Sequence, residues 1–300
     1  MDVFRKIYPS EYFLKFLGLG VRPDGRKIDK ERKTTITTGS IATADGSSFV
    51  KLGNTTVVAG VTAEIGKHTD ISNSSHIIIN VELTPLCSSR FRAGGPASSS
   101  VGTASSSTTP SGRPSEQAQA CSHFLNNLIH SNAFVIKNDF KVVSAKQSSE
   151  DGADEVQYSW YLFVDIYCLN YDGNILDACL IALLAALKNV CLPNVINDGG
   201  FFVTEDNEKG NNTLTLDIVE YPISLTFGIL DEYIIVDPTN EEEEQLASNF
   251  TIIYTNTGKL CSVFKPGGTA VLTEEQLKMS LQVAKRRASH IHNLLNPQTS

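Results

Sequence analysis

The sequence predicts an α+β fold. Strand-like segments come in runs, each run is followed by a helical segment, and that order occurs twice along the 300 residues. A doubly wound parallel sheet would alternate single strands with single helices. No Gly-x-Gly-x-x-Gly turn, Walker loop or Gly-x-Ser-x-Gly elbow is present. At roughly 150 residues per domain the length suggests two domains. A hydrophobic content of 41% supplies enough apolar surface for a real core.

The elements follow in chain order. Ser10 and Glu11 open a short amphipathic helix carrying Tyr12, Phe13, Phe16 and Leu17, ended by Gly18 and Gly20. We take residues 1–21 as an N-terminal helical unit. A basic, turn-rich stretch follows, Arg22-Pro-Asp-Gly-Arg-Lys27. Residues 34–63 are strand-like, and Gly53-Asn54 between Ser48–Leu52 and Thr55–Ala59 is a hairpin signal. His76 to Leu83 is another β-branched apolar run. Ten of the fifteen residues from Ala97 to Ser111 are Ser or Thr, too few of which can pack, so 97–111 reads as a disordered surface insertion.

Ser115 to His130 is helical again, and 146–154 is a second polar, flexible stretch. Trp160 to Leu169 alternates as a strand, Tyr171-Asp-Gly-Asn174 is a tight turn, and a helix runs from about Leu176 to Asn189. The domain boundary is placed at Pro193, giving domains 22–192 and 193–300. Strands are expected at Thr213–Val219, Ile223–Leu230, Tyr233–Val236, Phe250–Thr255 and Lys259–Phe264, with a turn at Asn256-Thr-Gly258. The run Glu241–Glu244 starts a helix, where negative charge suits the N-terminal dipole. Consecutive Glu side chains point around a helix and do not converge on a metal. Thr273-Glu-Glu-Gln276 is a capping box for a final helix, whose stripe is Leu277, Leu281, Ala284, Ala288, Ile291 and Leu295. Lys285-Arg-Arg287 beside it reads as a solvated face.

Charge and cysteines bound the function. With 33 acidic and 25 basic residues the net charge is −8, which excludes a generally basic nucleic-acid coat protein but not a local basic site. No apolar run reaches the roughly 18 residues of a membrane helix, and Ala178–Leu187 reads as a buried helix. The N-terminus lacks a secretory apolar stretch. Six widely spaced cysteines read as reduced thiols in the cytosol or nucleus. The histidines do not fall at ligand spacings, and His290 and His292 lie on different faces of a helix, so neither metal nor cofactor is expected. The glycosylation sequons at Asn54, Asn73, Asn211 and Asn249 read as chance matches.

Six segments in order carry a resemblance: Arg22-Pro-Asp-Gly-Arg26; Ala44-Asp-Gly46 leading into Val50–Val57; Leu86-Cys-Ser-Ser-Arg-Phe-Arg92; Tyr171–Ala178; Val236-Asp-Pro-Thr239; and Lys265-Pro-Gly-Gly268. Over roughly residues 10–295 the chain resembles the RNase PH family, and more narrowly the RNase PH-like ring subunits of the eukaryotic RNA exosome. The resemblance implies a ribosomal protein S5 domain 2-like fold in two RNase PH domains. It also implies a six-membered ring of paralogous subunits capped by RNA-binding proteins, acting in rRNA maturation and mRNA turnover in nucleus, nucleolus and cytoplasm. The polar stretches 97–111 and 146–154 look like insertions relative to the family.

Active members of that family cut RNA from the 3′ end with inorganic phosphate, which needs a phosphate clamp and an acidic group near the leaving oxygen. The resemblance places the clamp's Thr-Arg pair at Ile175 and Leu176, two side chains without a donor. It places the two aspartates at Glu243 and Asn249, one lengthened and one an amide that neither donates an acidic proton nor carries charge. The expectation is a non-catalytic subunit. Asp237 matches another acidic family position in a turn context, and Asp165, Asp172 and Asp177 remain as carboxylates without a base partner.

For RNA contact the candidates are Arg90 and Arg92, which on an extended segment would project to one side at a spacing that suits phosphates, with Ser88 and Ser89 as hydroxyl donors. The resemblance implies that this segment lines the RNA path. Arg113 matches a substrate-binding arginine of the family. A few such contacts on an acidic chain predict poor RNA binding by the isolated subunit, with the assembled channel supplying the rest. The rival readings are an active phosphate-dependent 3′-to-5′ exoribonuclease and a stand-alone RNA-binding adaptor. The second lacks a stacking platform of interleaved aromatics.

Overall fold

The hairpin at Gly53 sets the architecture. Its φ of +61° suits a glycine, and it returns the chain so that Leu52 pairs with Thr55. The computed structural model describes residues 2–67, 76–91, 115–131, 133–137, 140–144, 158–198, 201–204 and 213–296. The expected insertions at 97–111 and 146–154, and with them Arg92 and Arg113, lie outside the described residues.

Six helices and sixteen strands are present among the described residues. The helices are α1 (Asp2–Ile7), α2 (Pro9–Gly18), α3 (Glu116–Ile129), α4 (Ile175–Lys188), α5 (Asn240–Glu243) and α6 (Glu274–Leu295). The earlier strands are β1 (Thr34–Thr38), β2 (Gly46–Leu52), β3 (Thr55–Lys67), β4 (Ile77–Leu83), β5 (Val135–Ile136), β6 (Lys141–Ser144), β7 (Tyr158–Asn170) and β8 (Cys191–Pro193). The later strands are β9 (Val195–Asp198), β10 (Phe201–Thr204), β11 (Thr213–Thr215), β12 (Ile218–Glu220), β13 (Pro222–Leu230), β14 (Tyr233–Val236), β15 (Ser248–Thr255) and β16 (Leu260–Phe264).

The large sheet runs β1-β2-β3-β7-β6-β9-β10, with β4 parallel to β7. The second sheet is antiparallel, in the order β14-β13-β15-β16. The expected strand at Thr213–Val219 is two short strands that pair with different partners, β8 and β5.

Helix α4 is the centre of the molecule. It packs on β2 and β3 of the large sheet and on β13 of the second, so all of Ala178–Leu187 is buried, as its composition predicts. A helix apolar all round needs cover on every side, and it has it. Its sides are clothed by Val57, Val61 and Ile166 from one sheet and Leu225 and Phe227 from the other, in one continuous core. All nine residues of β13 are buried, because α4 and α6 flank that sheet.

One expectation about a surface is corrected. Arg287 is not on a solvated face: it is 3% exposed, donates to Thr34 Oγ1 and pairs with Glu31 at 3.6 Å. Lys285 and Arg286 are exposed as expected. The difference is one of phase, since Arg287 follows Ala284 by three residues and shares its buried face. The apolar side of α2 is covered by its own chain. Phe13 and Leu17 pack on Leu230 and Ile235 in a second, smaller core cluster.

Candidate functional site

The turn between β7 and α4 collects the side chains that chemistry would need. Gly173 (φ +77°) and Asn174 (φ +52°) are both left-handed, which reverses the chain sharply enough to start α4 at Ile175. A Cβ on Gly173 would lie 2.6 Å from Asn240 N, so the turn is pressed against the start of α5. Short helix α5 is opened by a capping box between Thr239 and Glu242.

The three glutamates of α5 point three ways, as consecutive residues on a helix must. Glu241 pairs with Arg5 of α1. Glu242, 2% exposed, takes the Arg22 guanidinium with both oxygens; Arg22 Nη1 donates to Val236 O at 2.6 Å. Glu243 faces α4: its Oε1 accepts the Asn174 N–H at 2.7 Å and its Oε2 accepts the Tyr171 hydroxyl at 2.7 Å. Gln117 of α3 in turn donates to Tyr171 Oη at 3.1 Å. Burial pushes the Glu243 carboxyl above its ordinary range, against the hydrogen bonds and cations that favour the charged form. Burial and the Glu243 charge push the Tyr171 phenol up as well.

Beneath this lies a buried acidic pair. Asp237 (φ +51°) accepts Arg32 Nε and Nη2 at 2.9 and 2.8 Å. Burial alone would raise its pKa, but the bonds and charge of Arg32 outweigh it and hold the carboxyl below its usual range. Asp177 accepts from Ser224 Oγ, Thr226 N, Thr226 Oγ1 and Asn174 Nδ2; full burial still pushes its carboxyl up. Asn174 Nδ2 also reaches Asp237 Oδ1 at 2.6 Å, so one amide bridges both acids.

Of the residues singled out from sequence, Ile175 and Leu176 belong to the hydrophobic core, fully and partly buried. Asn249 is exposed on β15 opposite Gly228, and no hydrogen bond joins it to Glu243 among the described residues. Arg90 stands near Glu243. Its Nη1 reaches Asn240 Oδ1 at 3.4 Å, and its charge favours ionisation of both Glu243 and Tyr171. The extended geometry expected around Arg90 is corrected: Ser89–Phe91 is a 3-10 turn, held by Phe91 N–H to Ser88 O at 3.2 Å. Phe91 caps the turn by meeting the Tyr171 ring edge-on at 5.1 Å. Ser88 accepts the Arg90 N–H at 3.3 Å, and Ser89 is exposed.

Sequence reasoning passed over Tyr171, Asn174, Arg32 and Asn240. The one usable signal was Asn174, since an Asn after Asp-Gly marks a left-handed position. No group of three or more metal-ligating side chains occurs among the described residues.

Two family models match the chain on either side of this site. The 3′ exoribonuclease family, domain 1, matches residues 30–193, and its domain 2 matches 220–287. The chain therefore belongs to the 3′ exoribonuclease family of RNase PH type. Within it, the chain is 31% identical over 291 residues to exosome complex component rrp43 of Schizosaccharomyces pombe, covering 95% of this chain and 94% of that one. It is 29% identical over 301 residues to exosome complex component Rrp42 of Methanopyrus kandleri, with 99% of each covered. Among solved structures, a chain of the Archaeoglobus fulgidus exosome with RNA bound to the active site superposes with a TM-score of 0.72 at 28% identity, covering 95% of this chain and 96% of that one. These matches bear out the fold class and the resemblance drawn from the six segments.

Proposed function

We propose that the chain is a non-catalytic ring subunit of an RNA exosome core. It pairs with paralogous RNase PH-family chains, beneath RNA-binding caps, and forms one wall of a channel for RNA bound for 3′-to-5′ processing. The supporting observation is the Glu243 carboxylate on the Asn174 N–H at the start of α4. In an active relative the resemblance places the attacking phosphate's clamp at this turn. Here the Asn174 N–H is taken and a carboxylate would repel a dianion. Ile175 and Leu176 face the core, where they offer no donor. The hydrogen bonds of Glu243, Asn174, Asp177 and Asp237 tie elements together rather than leaving a group poised for proton transfer.

In this reading Arg90, Arg92 and Arg113, with Ser88 and Ser89, contact RNA phosphates along the channel, and the chain divides into two RNase PH domains near Pro193. Its place is that of the complex, in nucleus, nucleolus and cytoplasm. The test is direct. Pure chain incubated with 3′-labelled RNA, phosphate and magnesium is expected to release no nucleoside diphosphate. Release that disappears in Glu243→Ala would establish the exoribonuclease instead. Tight, salt-dependent RNA binding by the lone subunit would favour an adaptor.

A further inference from the structure

The C-terminal ends of α4 and α6 meet at Tyr221, the residue before β13. Four side chains converge there. Lys188, in the last turn of α4, holds its Nζ 4.5 Å over the Tyr221 ring and 3.5 Å from the hydroxyl. Nζ also donates to Asn296 Oδ1 at 2.5 Å. The Tyr221 oxygen accepts Asn296 Nδ2 at 3.0 Å and stands 2.7 Å from His292 Nδ1. The imidazole stacks beside the phenol ring, centroids 5.9 Å apart. A phenol oxygen that already takes two N–H groups turns its own proton to the third neighbour. Nδ1 is therefore an acceptor, and the row runs amine, phenol, imidazole.

Lys137, Lys259 and Lys278 each pair with an acid. Lys188 pairs with none among the described residues, and Glu220, beside Tyr221 in the chain, is taken by Lys259 at 3.1 Å. Burial therefore lowers the Lys188 pKa with no counter-ion to restore it. The amine is not sealed in: Lys188 is half-buried, and its contact with Asn296 lies at the surface. A cation at the C-terminus of α4 suits the helix dipole. That role needs neither a phenol nor an imidazole in line with the amine. An anion finds few donors here, because Asn296 and Tyr221 spend theirs inside the cluster. A nucleophilic amine beside a proton acceptor is what the four side chains make together.

We propose that Lys188 is an acylation site, whose amine takes the acyl group of a small acyl thioester and passes its proton through Tyr221 to His292. The neutral amine attacks the thioester carbonyl. A C–N bond forms, the C–S bond breaks and the thiolate leaves. The proton shed by the nitrogen moves to Tyr221 Oη as the phenol proton moves to His292 Nδ1. The imidazolium then returns a proton to the thiolate, so amine and thioester become amide and thiol. The amide carries no charge. The cation over the Tyr221 ring is lost with it, which loosens the tie between α4 and the end of α6.

The experiment incubates the folded full chain with acetyl-coenzyme A across a range of pH and times acetylation of each lysine by peptide mass spectrometry. Exposed Lys278 and Lys285 are the internal standards. Lys188 should acetylate at least about fivefold faster than either near neutral pH, and its rate should level off at a lower pH than theirs. Tyr221→Phe and His292→Gln should each slow Lys188 about threefold or more and shift its pH profile, while the standards keep their rates. Thermal melts check that both variants fold, and the wild-type rates decide the matter if one does not. Lys188 reacting no faster than the standards overturns the proposal and leaves a structural cation at the end of α4. A fast Lys188 that both folded variants leave unchanged overturns it too, because the relay is part of it.

Discussion

Arg32 and Asp237, 205 residues apart, meet in a two-point ion pair with almost no access to water: Nε and Nη2 of the arginine each hold one carboxylate oxygen. The same guanidinium donates to Asp172 O at 2.6 Å and Gly173 O at 3.2 Å. One side chain thus connects the stretch before β1, the turn before α4 and the end of β14. The bidentate fork is what an Arg supplies and a Lys does not.

Removing one member of the pair should be far worse than removing both. Asp237→Ala leaves a buried guanidinium with only the more distant and partly exposed Asp172 carboxylate, at 3.5 Å, and the expected cost is about 3–5 kcal/mol. Arg32→Met with Asp237→Leu should recover part of that loss, because two apolar side chains leave no stranded charge. Urea unfolding of the three variants reads the difference.

The acid limb of stability should depend on Asp237. Its folded pKa is lowered, so its contribution is complete above the ordinary carboxylate value and is lost as pH falls through the folded one. Glu243 has the opposite sign. Its folded pKa is raised, so its ionised form costs stability once pH has risen through the folded value. Denaturation midpoints between about pH 3 and 7 should therefore flatten at the acid end in Asp237→Asn. In Glu243→Gln the decline toward neutrality should shrink to what the other raised carboxyl, Asp177, contributes.

Gly173→Ala should destabilise by about 2 kcal/mol or more. The left-handed φ of +77° disfavours a side chain, and the new Cβ would meet backbone of Thr239 and Asn240 at 2.6 Å. Gly25→Ala, also left-handed but with nothing within 4 Å, should cost only the conformational part, about 1 kcal/mol. Thermal melts of the pair separate strain from clash.

Arg287→Ala should cost about 2–3 kcal/mol, since it strips Thr34 and Glu31 of a buried donor. Substituting the exposed neighbour Arg286 should change stability by less than about 0.5 kcal/mol. Urea unfolding of the two variants separates the buried arginine from its exposed neighbour.

Glu243→Gln removes the charge that the Asn174 N–H now serves. Phosphate should then protect the variant more than the wild type, as a larger rise in Tm between 0 and 50 mM phosphate at constant ionic strength. An equal response in both proteins would show that the carboxylate is not what excludes the anion.

Much of this fold was legible because its signals are local. The Gly53 turn, the capping box at Thr273 and the small-residue run of α4 each announce themselves within a few residues. The site was less legible. Glu243 could be matched to a family position, yet its partners Tyr171 and Asn174 lie 72 and 69 residues away, and no spacing rule spans that distance. Arg287 was misread for a related reason. A charged residue reads as surface until a distant carboxylate and hydroxyl are known to wait for it.

Helix α5 is a single turn, yet Arg5, Arg22 and Asn174 each depend on a different one of its glutamates. Its wiring is set by angular phase, about 100° per residue. Deleting any one residue between Thr239 and Glu243 would swing each carboxylate toward another's partner. The length of this turn is accordingly a stricter inheritance than its composition. Descendants of the chain can trade many of its side chains, but an insertion or deletion here would miswire three regions at once.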